Sequence, residues 1–194
     1  AHRIIRDCNH EFAELFGYRR DELVDASFSR LYPAVADFVR TGDMWRHHLP
    51  GGAVYYDERI MAGAGGKRFW LINTHFPYRA EDEPAREKAA AQIAAWVAAR
   101  PDSAPVVLTG DFNTIPESGV HRLLSAGLAD AWDTATARSG PAETFHGFSG
   151  KADRRIDWVF AKGLSAAKAE TVTFGRNGRY PSDHFPVVVD YRWP

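Results

Sequence analysis

The apolar run Pro105-Val106-Val107-Leu108-Thr109 passes directly into Gly110-Asp111-Phe112-Asn113. An uninterrupted run of this kind reads as a strand buried on both faces, which demands covering layers on either side. The abrupt switch to polar residues places side chains capable of chemistry at the strand's end. The arrangement recurs. A strand expected over Arg68 to Thr74 leads to Asn73-Thr74-His75. One over Arg155 to Ala161 carries Arg155-Ile156-Asp157, and one over Pro186 to Trp193 follows Ser182-Asp183-His184. Between them, Pro84 to Arg100 is an Ala-rich amphipathic helix with Ile93, Trp96 and Val97 on its buried stripe, and Val120 to Ala126 is a shorter helix. Strands and helices alternating in this way define a mixed α/β class.

The first third follows a different pattern. Arg3 to Arg6 is strand-like, and Glu11 to Phe16 is helical, with Asn9 as N-cap and Gly17 closing the C-terminus. Arg20 to Val24 is another helical turn. A helix over Ala36 to Leu49 ends at Pro50-Gly51-Gly52, a strand runs over Ala53 to Met61, and Ala62 to Gly66 forms a hairpin turn. Composition shifts near Gly63 to Lys67, which suggests two segments, 1–68 and 69–194.

Charge narrows the partners. With 24 Lys and Arg against 25 Asp and Glu, the formal net charge is -1, which argues against an overall grip on nucleic acid. A local basic patch around Arg154, Arg155, Arg176 and Arg179 stays open. Cys8 is the single cysteine, so no intrachain disulfide forms, and a reducing, cytoplasmic setting is the expectation. No apolar run approaches the ~20 residues of a bilayer span, and no signal peptide is evident.

Taken singly, the polar clusters are weak signals. An Asp-X-Asn at a strand end is commonly a turn or helix cap, and a lone histidine commonly makes a structural hydrogen bond. Asp157 alone could pair with Arg154 or Arg155, and Asp183 could form an Asx turn. All four clusters in one chain are harder to dismiss. Hydrolysis of a phosphate ester needs a divalent cation to offset phosphate charge, oxygen ligands to hold it, and a histidine to donate to the phosphate or move a proton. The clusters supply oxygen ligands suited to magnesium or manganese and lack the thiolate or multi-histidine spacing of zinc sites.

The ordered set Asn-Thr-His, Gly-Asp-Phe-Asn, Arg-Ile-Asp and Ser-Asp-His resembles the endonuclease/exonuclease/phosphatase superfamily. The similarity is closest to small bacterial members carrying Thr-Phe-His-Gly-Phe, here Thr144 to Phe148. It covers roughly Phe69 to Trp193 and implies the C-terminal half of a four-layered α/β sandwich. It further implies a role for each residue. His75 would contact the scissile phosphate, and Asp111 would orient or deprotonate the attacking water. Asn113 would hold a phosphate oxygen or a second metal, and Asp183 would help bind the metal. Asp157 would orient the imidazole of His184, and His184 would stabilise the transition state. Asn73 would support the His75 strand, and His146 fits a substrate contact or a structural role equally. His121, on the short helix, stands outside the clusters and would serve as a neutral control.

The family's glutamate metal ligand, normally in a Gln-Glu pair, has no counterpart here. The lone glutamine is Gln92, and the nearest upstream carboxylate, Glu58, reads as a solvated strand residue. Magnesium or manganese would therefore bind weakly. Residues 2–70 instead resemble a PAS sensor domain, through Asp7-Cys8-Asn9, Phe12 to Tyr18, Asp21 to Val24, Tyr56 to Ile60 and Gly66 to Trp70. Cys8 lies outside an Asn-Cys-Arg motif, which disfavours flavin photochemistry. The adjacent His47 and His48 at a helix end disfavour haem.

The expectation is thus a metal-dependent phosphodiesterase or phosphomonoesterase acting on a phosphate ester of unspecified class. The alternative is a non-catalytic sensor or interaction module fused to a hydrolase remnant. Half of a sandwich leaves a sheet face uncovered, so docking of the two segments or a homodimer, through the PAS-like half or the uncovered face, is expected.

Overall fold

The computed structural model describes residues 3–40, 57–62, 67–100 and 103–194. The chain divides into two compact units, Ala1–Leu71 and Ile72–Pro194. Of the helix expected over 36–49, the strand over 53–61 and the turn over 62–66, the parts at 41–56 and 63–66 lie outside the described residues.

The first unit opens with α1 (His10–Leu15) and α2 (Arg20–Leu23), followed by a 3-10 turn at Phe28–Leu31 and a helical stretch, α3, over residues 35–40. Asn9 caps α1 by accepting the Phe12 N–H at 2.9 Å. At the other end Gly17 adopts φ 71°, while its own N–H and that of Tyr18 return to the carbonyls of Glu14 and Ala13. This is the Schellman closure that only a left-handed residue completes cheaply. Arg3 to Arg6 contributes a single bridge, Ile4 to Ser27, in place of the expected strand. Phe16, Leu23, Leu31 and Phe69 are buried in this unit, with the Phe16 and Phe69 rings 6.0 Å apart. Strand β1 (Asp57–Ala62) neighbours β2 (Arg68–His75), whose first four residues close the unit.

The second unit begins inside β2 and continues with α4 (Glu83–Ala98), β3 (Val106–Asp111), α5 (Gly119–Ser125), β4 (Ala129–Asp130) and α6 (Ala131–Thr134). It ends with β5 (Ala137–Ser139), β6 (Asp157–Lys162), β7 (Ser165–Thr171) and β8 (Val187–Arg192). One sheet contains the order β2-β3-β6-β4, and a second has the order β5-β7-β8. β6 runs antiparallel to β3, with Asp111 opposite Asp157 and Thr109 opposite Val159.

This register sorts the side chains. Leu108, Phe112, Trp158 and Phe160 form the buried face, with Phe112 stacked on Trp158 at 4.7 Å between ring centroids. On the other face, Asn73, His75, Thr109, Asp111, Asp157 and Val159 line an open cleft. β3 therefore alternates buried Val106 and Leu108 with half-buried Val107 and Thr109, in contrast to the even burial expected of it. Its second face borders the cleft.

β4, α6, β5 and β7 carry weak sequence signals. β7 holds Ala166, Ala167 and Ala169, and alanine is a poor strand former. Small side chains serve packing here: Ala166 and Ala169 close against Ala131 and Ala135 of α6 and its C-cap, and all four are buried. Gly110 reflects a similar constraint, because a Cβ there would stand 2.2 Å from the Thr74 carbonyl oxygen.

His121 is not a bystander. Its Nε2 lies 2.8 Å from Asp130 Oδ2, and its ring meets Trp158 edge-on at 4.9 Å. Arg155 also leaves the expected basic patch. Its guanidinium donates to both oxygens of Asp130, at 3.2 and 2.9 Å, and reaches Asp133 at 3.4 Å. Burial opposes the Asp130 charge, but the His121 hydrogen bond, Arg155 and the Trp132 N–H outweigh it and hold the carboxyl below its ordinary value.

Candidate active site

Strand ends and their following loops present the candidate residues. Asn73 and His75, two apart on β2, share its exposed side, and Asn73 Oδ1 accepts the Thr109 hydroxyl at 2.9 Å. Phe76 N–H donates to the Asp111 carbonyl at 2.8 Å, tying the end of β2 to the end of β3. Beyond β3 the chain turns at Asn113, whose φ is 50°. Its backbone N–H donates to Asp111 Oδ1 and its Nδ2 to the Phe76 carbonyl, both at 2.9 Å. Asn is among the few residues that tolerate this left-handed geometry. The Asn113 side-chain oxygen thus remains as the amide's ligand atom.

Four residues converge. Asp111 Oδ2 lies 3.4 Å from His75 Nε2 and 3.9 Å from His184 Nε2. His184 Nδ1 lies 2.7 Å from Asp157 Oδ2. The cleft they share has a volume of about 430 Å³. His75 is mostly exposed, whereas Asp111, Asp157 and His184 are each about one-fifth exposed at the side chain. Burial raises the Asp111 carboxyl above its ordinary value, against the Asn113 N–H; the Asp157 charge adds to the rise, and His184 and His75 oppose it.

Asp111, Asp157 and His184 each offer a ligand atom, and these lie within 4.8 Å of one another. The two carboxylates suit a hard divalent cation, whose charge would offset that of Asp157 beside Asp111, a carboxyl raised chiefly by burial. The donor set therefore fits magnesium or manganese. Asp183 stands apart from this group. Its carboxylate accepts from the Ser182 hydroxyl at 3.4 Å, and its carbonyl accepts the N–H groups of His146 and Gly147.

Thr144 to Gly147 lace the site together. Thr144 Oγ1 accepts the N–H groups of Ile156 and Asp157, and the Thr144 carbonyl accepts the Phe185 N–H. The Phe145 ring meets the His184 ring at 5.1 Å. His146 is 4% exposed, stacks on Phe185 at 4.0 Å and accepts the Gly150 N–H at Nδ1. Sequence reasoning missed Arg86. It is buried in α4 and donates to the carbonyls of Pro77 and Arg79, at 2.6 and 2.7 Å, fixing the loop that follows His75. Its one signal was an arginine on the helix stripe beside small alanines.

This architecture and site coincide with a known family. The profile described as "Endonuclease/Exonuclease/phosphatase family" matches residues 14–184, and the chain belongs to that family. It is a mixed α/β protein of that fold. Escherichia coli strain K12 has a similar protein, the uncharacterized YbhP, 34% identical over 133 residues, covering 68% of this chain and 49% of YbhP. The chain thus spans about half the length of YbhP. The mannosyl-6-phosphatase Bt3783 of Bacteroides thetaiotaomicron superposes with a TM-score of 0.64 at 25% identity, over 71% of this chain and 57% of that one. A 67-residue stretch is 37% identical to the sensor protein TdiS of Thauera aromatica, which is 34% of this chain and 12% of TdiS.

Proposed function

We propose that the chain carries the C-terminal half of a divalent-metal-dependent phosphoesterase centre. The observation that carries this reading is the placement of Asp111 Oδ2 between His75 Nε2 and His184 Nε2, with His184 held from behind by Asp157. Family membership supports it, as does the phosphatase named among the similar structures.

In this reading His75 and His184 donate from Nε2 to non-bridging oxygens of the phosphoryl group. The Asp157 carboxylate accepts the Nδ1 proton of His184, which fixes the ring with Nε2 facing the cleft, and donation from Nε2 to the phosphate requires the imidazolium form. Asp111 orients the attacking water and accepts its proton, a task that a partly buried carboxylate with a raised pKa suits. Asn113 holds a phosphate oxygen or a metal through its side-chain amide. Magnesium or manganese held by Asp111, with Asn113 or Asp183 as further oxygen ligands, would offset negative charge on the phosphate. Attack on phosphorus builds charge on the non-bridging oxygens, and donors placed there stabilise the transition state more than the ground state.

The test is turnover of bis(p-nitrophenyl) phosphate and p-nitrophenyl phosphate by the full chain across a magnesium and manganese titration. The reading predicts turnover that rises with metal and vanishes with chelator. The alternative is a sensor or interaction module with a PAS-like segment joined to a hydrolase remnant, a reading that draws on the TdiS similarity. It predicts no turnover at any metal concentration from a folded chain.

A further inference from the structure

Two spaces meet at Asp157. One is the open cleft, and the other is a small cavity of about 10 Å³ whose polar wall consists of Asp130, Thr144, Arg155, Asp157 and Thr171. A volume of that order admits one water molecule, provided two or more polar groups face it. Asp157 is the one carboxylate that borders both spaces.

The polar groups of the wall differ in how far they are engaged. Thr144 Oγ1 accepts two backbone N–H groups, at 3.3 and 3.2 Å. Asp130 accepts from Trp132, His121 and Arg155, and the Arg155 guanidinium is spent on Asp130 and Asp133. Thr171, the last residue of β7, is 2% exposed, and its hydroxyl has no partner among the described residues. Asp157 gives Oδ2 to His184, and no hydrogen bond to its Oδ1 occurs among the described residues. Thr171, with its buried hydroxyl unpartnered, and Asp157, with one carboxylate oxygen outside any hydrogen bond among the described residues, thus both belong to the wall of one water-sized space. A hydroxyl can donate and accept, whereas the carboxylate only accepts, so water is the small molecule that satisfies both.

We propose that a single buried water in this cavity donates to Asp157 and hydrogen-bonds Thr171, making Thr171 a positioning residue for the Asp157–His184 pair. This rests on the phosphoesterase reading for its effect on turnover. Held at both oxygens, the Asp157 carboxylate cannot rotate away from His184 Nδ1. Released at one, it lets the imidazole sample orientations in which Nε2 leaves the cleft. Outer hydrogen-bond partners of this kind typically alter activity by about 10- to 100-fold. The loss falls on kcat, because the His184 donation strengthens as charge develops on the phosphate.

The experiment compares the full parent chain with Thr171→Val, which keeps the shape and deletes the hydroxyl, and Thr171→Ser, which keeps the hydroxyl. High-resolution crystal structures should show a water within hydrogen-bond distance of residue 171 and Asp157 in the parent and the serine variant, and none in the valine variant. The His184 Nδ1–H proton resonance should persist in the parent and Thr171→Ser and broaden by solvent exchange in Thr171→Val. With bis(p-nitrophenyl) phosphate, kcat should fall about 10-fold in Thr171→Val at unchanged KM and recover in Thr171→Ser. A cavity without water in the parent, or a valine variant with parental kcat and an unchanged His184 resonance, would overturn the proposal. A parent chain with no turnover would instead defeat the phosphoesterase reading, and the water and the His184 resonance would still decide the role of Thr171.

Discussion

At the residue scale, the site combines a paired histidine with a carboxylate held above its ordinary pKa. His184→Ala should lower phosphodiester turnover by about two to three orders of magnitude, the usual cost of removing one transition-state donor. Asp157→Asn should cost less, since the imidazole stays in place. His121 cannot serve as the control, because it contacts Asp130 and Trp158. Exposed Lys88 on α4 can, and Lys88→Ala should match the parent. Asp111 adds a stability test. Its carboxyl is raised in the folded state, so the fold binds this proton more tightly than the unfolded chain does. Stability is therefore lost as pH rises from the ordinary value of 3.8 through the raised folded value. In chelator, Asp111→Asn should melt higher than the parent at neutral pH, with the gain shrinking below pH 3.8, while turnover collapses. A lower melting temperature at neutral pH would show that the carboxylate is stabilising.

The elements differ in how legibly the sequence announces them. β2, β3, β6 and β8 are signalled by apolar runs flanked by polar clusters, and their bounds fall within a few residues of expectation. β7 is hidden, because its alanines are chosen for close approach to α6 and give no strand signature. The convergence of His75, Asp111, Asp157 and His184 follows from the β3–β6 register, and no single segment encodes it. Spacing alone likewise could not show that Arg155, two residues before Asp157, turns to Asp130 and Asp133. Asp130 is depressed against its own burial, so its contribution is present above its ordinary 3.8 and is lost as pH falls through the lower folded value. Asp130→Ala would strand Arg155 and should destabilise the second unit by about 3–5 kcal/mol in urea unfolding. An unchanged midpoint would mean that the pair is replaced by solvent. Ala169→Leu, which overfills the α6–β7 contact, should cost about 1–3 kcal/mol by the same measurement.

For the molecule as a whole, the described helices include none long and apolar enough to cross a membrane. The site residues all lie in the second unit, Ile72–Pro194. Two carboxylates are fewer fixed ligands than a tight magnesium site offers, so calorimetry on this chain should find binding weaker than micromolar. Micromolar affinity would point to a further ligand. Hydrolysis of phosphate esters with a divalent cation is the proposed work of the His75–Asp111–His184–Asp157 constellation. The most direct test is magnesium-dependent turnover of bis(p-nitrophenyl) phosphate, measured side by side for the purified parent chain and His184→Ala. Turnover in the parent should require metal and fall at least about 100-fold in the variant. Equal turnover in the two proteins, or none in a folded parent chain at saturating magnesium, would contradict this proposal.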